Sequence, residues 1–371
     1  MTAPSPETTE SPDQGRETNL RWGFSTGAAA TAAALAAALT LKNGRPPDGV
    51  LIALPQGRNL SVRIDEASFC GDGGAKATVV KDGGDDPDVT NGARISVVVR
   101  PARGAGLTIE GGAGVGRVTR PGLVLPVGEW AVNPVPRAMM AKNLAPFLDG
   151  QGLVATVSIE NGERLALKTL NPRLGIVGGL SVLGTTGLVK PFSHQAYVAT
   201  IDSALSVARA TGAREVVLST GGRSEGLARL ARPDLPEEAF VQIADFFRAG
   251  LALSVRHGFG TIGLAGFFGK AVKQAANFPY THAHSNDMDL TMLAGWLEGL
   301  GDEARGLVAA APTALAALGI LKERGALGLV PIVAKRVLAS ARGFAGPGPR
   351  LWVTVFDFDG TVLAHECCPG R

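Results

Sequence analysis

The spacing of apolar and polar residues changes along the chain and separates it into two parts. In the first part, residues 50–54, 60–64, 75–80 and 95–99 are short alternating or β-branched runs bounded by turn residues, a pattern that predicts strands. After residue 193, longer segments with helical periodicity alternate with short apolar runs, which is typical of a β-α-β series. The pattern therefore predicts an α+β domain followed by an α/β domain with a parallel sheet.

The second part shows the more regular periodicity. Ligands of parallel sheets bind beyond the carboxyl ends of the strands, so the loops at residues 178–187, 220–225 and 266–270 are expected to meet at one edge. The predicted elements are helix 193–211, strand 215–219, helix 236–257, strand 261–266, helix 269–277, helices 287–300, 303–321 and 331–341, and strand 351–356.

An alanine-rich segment at residues 25–41 is predicted to be a buried helix. Ser25 or Thr26 is its expected N-cap, and the Asn43-Gly44 pair is expected to end it. The segment is short and weakly apolar for a membrane span or a signal peptide. Residues 1–20, polar and rich in proline, predict a disordered tail. The other elements predicted in the first part are a helix at 137–145 and a hairpin that joins 154–159 to 165–169.

Five glycines and two adjacent threonines crowd residues 168–193, KTLNPRLGIVGGLSVLGTTGLVKPFS. A strand is predicted at 174–177 and a helix from Ser193, and a glycine loop between a strand and a helix presents backbone N–H groups to an anion or a cofactor. The spacing matches neither GxGxxG nor a Walker sequence, so a tight turn without a ligand is the alternative. The GGAGVG run at 111–116 is followed by no predicted helix, and dinucleotide binding is not expected there.

Four carboxylates lie within seven residues in the run KDGGDDPDVT at residues 81–90. Like charges this close require a cation, hydrogen-bond donors or full solvation. The spacing is not that of a calcium loop, which leaves three interpretations open: a solvated hairpin turn, a metal site, or a loop that orients a substrate. The acidic residues are Asp82, Asp85, Asp86 and Asp88.

Composition narrows the class of protein. The net charge of +3 in 371 residues gives no reason to expect nucleic-acid or membrane binding. Three cysteines, Cys70 and the pair Cys367 and Cys368, have neither metal-ligand spacing nor a disulfide pattern, which favours a reducing cytoplasm.

Two further patterns suggest chemistry that the chain is not expected to perform. Asp357 and Asp359 stand in the DxDGT start of haloacid-dehalogenase-like phosphatases, but the sheet and lysine of that fold would have to follow, so a strand ending in an Asp-Gly turn is preferred. The run THAHSNDMD at 281–289 could bind a metal through His282 and His284, although a polar loop facing a substrate is preferred.

Taken together, these segments resemble the cobalt-precorrin-5B C1-methyltransferase family, the CbiD type, from residue 21 to about residue 362. Gly269, Lys270, Lys273 and the Thr281-His282 pair support the resemblance. Members commonly carry a cysteine in the opening helix, where this chain has Ala28-Ala29-Ala30, and we interpret that difference as packing. The motifs that carry the resemblance are KDGGDDPDVT at 81–90, VTRPG at 118–122, VNPVPR at 132–137 and residues 168–191.

The resemblance implies S-adenosylmethionine (SAM) as the methyl donor and a cobalt-precorrin as the acceptor, with cobalt present only as part of the substrate. It also implies a ribosomal-S5-domain-2-like α+β domain at residues 21–172 and a Rossmann-like methylase domain at 173–371. Methyl transfer to carbon needs alignment and electrostatics rather than an enzyme nucleophile.

Site residues follow from the motifs. Asp85, Asp86 and Thr90 are the catalytic candidates, and no metal ligands of the protein are expected. Basic side chains are expected to bind the carboxylates of the macrocycle. The predicted cofactor residues are Gly178, Gly179, Ser181, Gly184, Thr185, Thr186, Gly187, Thr220 and Gly221. The predicted substrate residues are Arg120, Arg137, Lys168, Arg173, Lys190, Lys270 and His282, with Arg223 and Lys273 beside them.

Two other functions remain as alternatives, a small-molecule phosphotransferase or phosphatase and a corrinoid-binding protein without activity. Homo-oligomerisation is left open.

Overall fold

The computed structural model describes residues 20–148, 150, 152–282 and 289–370. These residues form two compact units, and the chain passes between them several times. The first unit contains the residues up to Val115 together with Val132–Leu165 and Leu180–Phe192, and the second contains Gly116–Ala131, Ala166–Gly179 and the residues from Ser193 onward. The predicted boundary at residue 172 assumed consecutive domains and stays a prediction. The predicted tail, apart from Leu20, lies outside the described residues.

The first unit contains a sheet with the strand order β4-β5-β6-β9-β7, in which β7 is parallel to β9 and the other pairs are antiparallel. A hairpin of β2 with β3 and a short pair of β1 with β11 lie outside this sheet. The strands are β1 (Gly23–Phe24), β2 (Gly49–Ala53), β3 (Asn59–Arg63), β4 (Glu66–Phe69), β5 (Ala75–Val80), β6 (Arg94–Ala102), β7 (Gly106–Gly111), β9 (Gly152–Ile159) and β11 (Leu188–Val189).

Helix α1 (Thr26–Asn43) is the centre of the first unit. It packs against β5 and β6 and also against α2 (Pro134–Leu144) and β2, so nearly every one of its residues is buried. The Ser25 hydroxyl accepts a hydrogen bond from the backbone N–H of Ala28, and Gly44 ends the helix with a φ of 71°. Both predicted caps are thus confirmed, and alanine allows the close approach of neighbours on every side.

The hairpin predicted in the first part of the chain is wrong. Residues 165–169 do not complete it, because α3 (Gly162–Ala166) lies there and the partner of β9 on that side is β7. The helix predicted at 137–145 begins earlier, at Pro134, since the first residue of a helix tolerates a missing N–H and a fixed φ.

The second unit contains a sheet with the order β13-β12-β14-β15-β16, parallel except for β16. Its strands supply much of the buried core of this unit. A separate short pair joins β8 to β10. The strands are β8 (Arg117–Val118), β10 (Ile176–Val177), β12 (Glu215–Ser219), β13 (Phe240–Gln242), β14 (Thr261–Phe267), β15 (Arg350–Phe356) and β16 (Val362–Cys368).

Most predicted helices of this unit are confirmed, with three errors. The predicted helix at 236–257 is a short 3-10 turn, the strand β13 and a helix. The predicted helix at 303–321 is two helices, and the helix after β12 was missed. The helices are α4 (His194–Ala210), α5 (Gly222–Ala231), α6 (Phe247–Arg256), α7 (Phe268–Ala275), α8 (Leu290–Trp296), α9 (Asp302–Ala309), α10 (Ala314–Glu323) and α11 (Val330–Ala345). Within the described ranges, no helix has the length and apolar character that crossing a membrane would require.

Candidate functional site

The carboxyl edge of the parallel sheet in the second unit is the first candidate site. From β12 the chain moves outward to β13 and then returns past β12 to β14, so the strand order reverses between β12 and β14. Crevices at such switch points are where α/β sheets bind ligands. A Cβ on Gly266 would lie 3.5 Å from the side chain of Thr220, which shows that the loops after β12 and β14 meet here.

The loop after β12 exposes backbone at the start of α5. Gly221 is the N-cap of α5, has an extended backbone, and has no other group within 4 Å of its Cβ position. Gly222 is similarly open, with only the side-chain amide of Gln242 near it, at 3.7 Å. The unpaired N–H groups and the dipole at a helix start favour an anionic or polar ligand.

An acid and a base lie together at the same edge. Asp245 follows β13, and its Oδ1 atom contacts Nζ of Lys270, a residue of α7, and accepts a hydrogen bond of 3.0 Å from Thr281 Oγ1. Lys270 also donates to the carbonyl of Thr281 at 3.1 Å, and Lys273 donates to the carbonyl of His282 at 3.1 Å. The two lysines therefore position residues 281 and 282.

Burial, with a smaller effect of the nearby Lys273 charge, lowers the pKa of Lys270 from 10.5 to about 8. Between these two pH values the unfolded chain binds more protons than the folded one at this site, so the stability of the protein should rise with pH. We expect the free energy of unfolding, relative to that of Lys270→Gln, to increase between pH 8 and pH 10.5 in urea titrations. The control is Lys335→Gln, at an exposed position of α11. Parallel pH profiles of wild type and Lys270→Gln would contradict the lowered pKa.

The DxDGT run lies at this edge too, at the end of β15. Asp357 is buried and forms an ion pair with Lys322, and the turn after it leads into the antiparallel strand β16. The preferred interpretation of a strand ending in an Asp-Gly turn is therefore confirmed. Beside it, the rings of Phe267 and Phe358 stack with centroids 4.6 Å apart, and the guanidinium of Arg223 lies 5.5 Å from the centre of Phe358.

The glycine segment at 168–193 does not have the predicted arrangement. Ile176–Val177 is the two-residue strand β10, which pairs with β8 and is absent from the described five-stranded sheet. Gly178 and Gly179 belong to the second unit, whereas Ser181, Gly184, Thr185, Thr186 and Gly187 belong to the first. The three glycine loops therefore do not follow strands of a single sheet, whereas the loops after β12 and β14 meet.

Residues 181–187 pack around the start of α1. The carbonyl groups of Leu183 and Gly187 accept hydrogen bonds from the backbone N–H groups of Gly27 and Ser25, each 2.9 Å long. Ser181 is buried and its carbonyl accepts from Thr26. A Cβ on Gly184 would lie 2.3 Å from the Ser25 hydroxyl. This segment caps α1, and its predicted contact with the cofactor stays a prediction.

Three of the predicted arginines make contacts inside their own unit. Arg173 donates to Glu225 at 2.9 Å and to the carbonyl of Phe240, while Arg120 pairs with Glu238 at 2.8 Å. Arg137 lies in α2 and donates to two backbone carbonyls. All three arginines therefore connect segments of their own unit through hydrogen bonds or ion pairs. Lys168 and Lys190 are exposed.

The acidic loop of the first unit is the second candidate site, and each of its carboxylates has a hydrogen-bond donor. Asp82 pairs with Arg21, which lowers the pKa of the carboxyl group. Asp85 accepts from the backbone N–H of Arg21 at 2.7 Å, and Asp86 from that of Phe192 at 3.1 Å. Backbone N–H groups thus contact two of the three catalytic candidates, Asp85 and Asp86, and because Asp85 is exposed the interpretation as a solvated turn stays a prediction.

A buried lysine lies beneath this loop. The Lys81 side chain is 1% exposed, and its Nζ atom lies 2.9 Å from Oδ2 of Asp88. The same oxygen accepts a hydrogen bond from the Thr90 hydroxyl, and Oδ1 accepts from the Thr90 backbone N–H at 2.9 Å. Burial acts to raise the pKa of Asp88, but the Thr90 hydrogen bonds and the Lys81 charge outweigh it, so the pKa is lowered.

Metal binding gains no support in the described part of the chain, where no three His, Cys, Asp or Glu side chains lie close enough to hold an ion. The alternative placed on the acidic loop is therefore not supported. In the run THAHSNDMD at 281–289, for which metal binding was the less favoured interpretation, His284 and Asp287 lie outside the described residues.

Lys81, Asp245 and Glu225 were missed from the sequence. A lysine that opens an acidic run is expected to be solvated, and only the fold shows that Lys81 is buried. Asp245 belongs to no motif, but an acidic residue just after a strand could have been found if β13 had been recognised. The helix predicted at 236–257 included the residues of β13, so the position of Asp245 after a strand was not recognised.

The matching family models and the similar curated proteins agree on one family. The family model CbiD matches residues 13–191, and the model of the CbiD C-terminal domain matches residues 280–367. The cobalt-precorrin-5B C(1)-methyltransferase of Nitratidesulfovibrio vulgaris is 47% identical over 95% of this chain and 94% of its own. The protein of the same name from Burkholderia cenocepacia is 42% identical, over 95% and 98%. A crystal structure of the cobalamin biosynthesis protein (cbiD) from Archaeoglobus fulgidus is 25% identical, with a TM-score of 0.37 over 82% of this chain and 85% of that one.

Proposed function

The chain belongs to the CbiD family, and from this membership we propose that it methylates C1 of cobalt-precorrin-5B, with SAM as the donor, to give cobalt-precorrin-6A in cobalamin biosynthesis. The observation that carries the proposal is 47% identity over 95% of the chain to a relative that bears the name of this methyltransferase. A cytoplasmic location, and the description of the units as S5-like and Rossmann-like methylase domains, belong to the same proposal.

The carboxyl edge of the parallel sheet in the second unit fits SAM better than the segment at 181–187. Gly221 and Gly222 leave their Cβ positions open, so a ligand can approach the backbone at the start of α5. Asp245 follows the next strand, and an acidic residue at that place can accept hydrogen bonds from ribose hydroxyls. Gln242 lies between them on β13 and adds a side-chain amide. We propose that Thr220, Gly221, Gln242 and Asp245 bind the cofactor.

SAM supplies a sulfonium methyl group that a nucleophilic carbon can take without help from an enzyme nucleophile. The work left to the chain is to orient two reactants and remove a proton, because methylation at an electron-rich carbon is followed by proton loss. Asp85 and Asp86 are our candidates for accepting that proton or holding the substrate, since backbone N–H groups fix both side chains. The Thr90 hydroxyl donates to Asp88 of the same loop, so we propose that Thr90 holds the loop rather than contacts the substrate.

The test of the function is methyl transfer from radiolabelled SAM to cobalt-precorrin-5B by the purified protein, with the product identified by mass spectrometry. Label in the corrin at C1 is the expected result. Binding of the corrin without transfer would instead favour the non-catalytic carrier, and phosphatase activity that Asp357→Asn abolishes would favour the phosphatase.

The cofactor position has its own test. Gly221→Val is expected to weaken S-adenosylhomocysteine binding at least about tenfold, because the added side chain fills space that the described residues leave open around the loop. Isothermal titration calorimetry measures the dissociation constant. Gly260→Val is the matched control, since Gly260 is equally open but precedes β14, at the opposite edge of the sheet. If Gly221→Val binds S-adenosylhomocysteine as tightly as wild type and Thr185→Val binds it more weakly, the cofactor site lies at residues 181–187 instead.

A further inference from the structure

Lys270 is one of the predicted substrate residues, but its ammonium group is already engaged inside the second unit. It forms an ion pair with Oδ1 of Asp245 and donates a hydrogen bond of 3.1 Å to the carbonyl of Thr281. The Thr281 hydroxyl in turn donates to the same Oδ1 atom at 3.0 Å. A lysine and a threonine from different segments of the chain thus converge on one carboxylate oxygen.

The two carboxylate oxygens of Asp245 have different surroundings. Oδ1 has two donors, whereas no hydrogen bond or ion pair of Oδ2 occurs within the described ranges. Unlike Oε2 of Glu225, Oδ2 is not buried without a partner. Because the Asp245 side chain is 17% exposed, its unpaired oxygen reaches the surface. The carboxylate therefore presents one free acceptor.

The backbone on both sides of Asp245 is held in place. Ala244, just before it, has a φ of 45°, a left-handed conformation that alanine rarely adopts and that persists only where the surroundings impose it. The carbonyl of Asp245 accepts a hydrogen bond from the N–H of Thr281 at 3.0 Å, and the carbonyl of Pro279 accepts from the N–H of Arg248 at 3.0 Å. These bonds fasten the segment that carries Thr281 to the turn that carries Asp245.

This arrangement lies where the cofactor is proposed to bind. Asp245 follows β13 at the carboxyl edge of the parallel sheet, and Lys270 belongs to α7, the helix that directly follows β14 at the same edge. An acidic residue at this place in a dinucleotide-binding fold accepts hydrogen bonds from ribose hydroxyls. Two donors that hold Oδ1 leave the carboxylate one orientation, in which Oδ2 is the oxygen available to a ligand.

Direct binding of the substrate by Lys270 agrees less well with these contacts. An ammonium group has three donors, and Asp245 and Thr281 use two of them. A corrin carboxylate that reached Nζ would share it with Asp245, so two like charges would lie close together and repel each other.

We propose that Lys270 is a positioning residue for the cofactor: together with Thr281 it fixes Oδ1 of Asp245, so that Oδ2 accepts a hydrogen bond from a ribose hydroxyl of SAM. The inference rests on the proposed function, because it takes SAM as the ligand of this edge and Asp245 as one of its contacts. It replaces the substrate role predicted for Lys270 from its motif. It also makes the preference of the site for a ribosyl over a deoxyribosyl ligand depend on a residue that does not touch the ligand.

The experiment is a double-mutant cycle in the purified full-length protein, with Lys270→Met, Asp245→Ala and the combined variant. Isothermal titration calorimetry measures the dissociation constants of S-adenosylhomocysteine and of its 2′-deoxy and 3′-deoxy analogues. Each analogue lacks one of the ribose hydroxyls that Asp245 can accept from. The matched control is Lys335→Met, which removes the same charge from an exposed position of α11.

Wild type is expected to bind at least one analogue about tenfold more weakly than S-adenosylhomocysteine, because Oδ2 then loses a charge-assisted hydrogen bond. Lys270→Met should weaken S-adenosylhomocysteine binding by a similar factor and reduce the discrimination against that analogue to less than about threefold. Lys335→Met should change neither quantity. The combined variant should bind no more weakly than Asp245→Ala, because Lys270 acts only through Asp245.

Thr281 variants keep the lysine in place and decide the question if Lys270→Met does not fold. Thr281→Val has nearly the same shape but lacks the donor to Oδ1, whereas Thr281→Ser keeps it. Thr281→Val should weaken S-adenosylhomocysteine binding about threefold and lower the discrimination against the deoxy analogue, and Thr281→Ser should behave as wild type does. Urea denaturation followed by circular dichroism shows whether each variant is folded.

Additive effects of Lys270→Met and Asp245→Ala on the affinity would overturn the proposal, because Lys270 would then contact the ligand itself. So would a Lys270→Met variant that binds S-adenosylhomocysteine and its analogues as wild type does but has a raised KM for cobalt-precorrin-5B, the result that substrate binding predicts. A wild type that does not bind S-adenosylhomocysteine, or binds both analogues as tightly, overturns it as well. The proposed function fails separately, if wild type transfers no methyl group to cobalt-precorrin-5B while the Lys270-dependent discrimination is observed.

Discussion

Asp88→Asn is expected to lower the free energy of unfolding by about 3 kcal/mol, because it leaves the ammonium group of Lys81 buried without a counter-charge. The Lys81 side chain is 1% exposed and Asp88 is its ion-pair partner, while the nearby Asp82 carboxylate is already paired with Arg21. The 28% exposure of the Asp88 side chain places the value at the lower end of the range for buried pairs. Urea denaturation followed by circular dichroism measures the change.

Asp72→Asn is the matched control. Asp72 pairs with Arg100 at 2.6 Å, but both side chains are more than a third exposed, so its loss should destabilise the protein much less than the loss of Asp88. Adding Lys81→Met to Asp88→Asn should recover part of the lost stability, because the unpaired charge is gone. Equal effects of Asp88→Asn and Asp72→Asn would show that the buried pair does not stabilise the loop.

The contribution of Asp88 to the free energy of unfolding should decrease as the pH falls. The folded state lowers the pKa of Asp88 below 3.8, so the carboxylate contributes stability above that pH and loses it as the pH falls through the folded value. Wild type should therefore lose stability more steeply than Asp88→Asn below about pH 4.

Arg173→Met is expected to cost about 3 kcal/mol in the second unit, for a related reason. Arg173 donates to Oε1 of Glu225, whose side chain is 6% exposed. The other oxygen, Oε2, is buried and has no hydrogen-bond partner among the described residues, so this carboxylate depends on Arg173. Thermal or urea unfolding measures the loss, and Arg173→Met with Glu225→Gln should recover part of it.

Arg229→Met supplies the comparison, because the Arg229 side chain is 42% exposed and its guanidinium lies 3.9 Å from Oε1 of Glu225. Its loss should cost under about 1 kcal/mol. If Arg173→Met keeps full stability and raises KM for the corrin substrate instead, the substrate role predicted for Arg173 from its motif is correct, and its packing role is wrong.

The sequence predicted elements whose determinants are local. Helix α1 was placed with both caps because Ser25 and Gly44 act on their immediate neighbours. β12 and β14 were found from short apolar runs. The strand β13 was missed, since Phe240–Gln242 continues the periodicity of the following helix and becomes a strand only by pairing with β12. β10 was assigned to the wrong sheet, because its partner β8 lies about sixty positions earlier.

The candidate sites were predicted in outline and not in detail. The loop after β12 was expected at a sheet edge, and the structure puts Thr220 and Gly221 there. The three motifs that contain Arg120, Arg137 and Arg173 were recognised, but a motif does not separate residues that bind a ligand from those that bind the backbone. Lys81 shows the same limit, since its burial depends on residues brought together only by folding.

The capping of α1 by residues 183 and 187 determines when the first unit can be completed during synthesis. The helix is made early, yet two of the carbonyl groups that accept its first N–H groups belong to a segment synthesised more than 150 residues later. At a rate of about 5–20 residues per second, the ribosome needs roughly 8–30 seconds to add that segment. The first N–H groups of α1 lack these acceptors over this interval, and a nascent chain stalled before residue 180 should show a less protected start of α1 than the finished chain in hydrogen exchange.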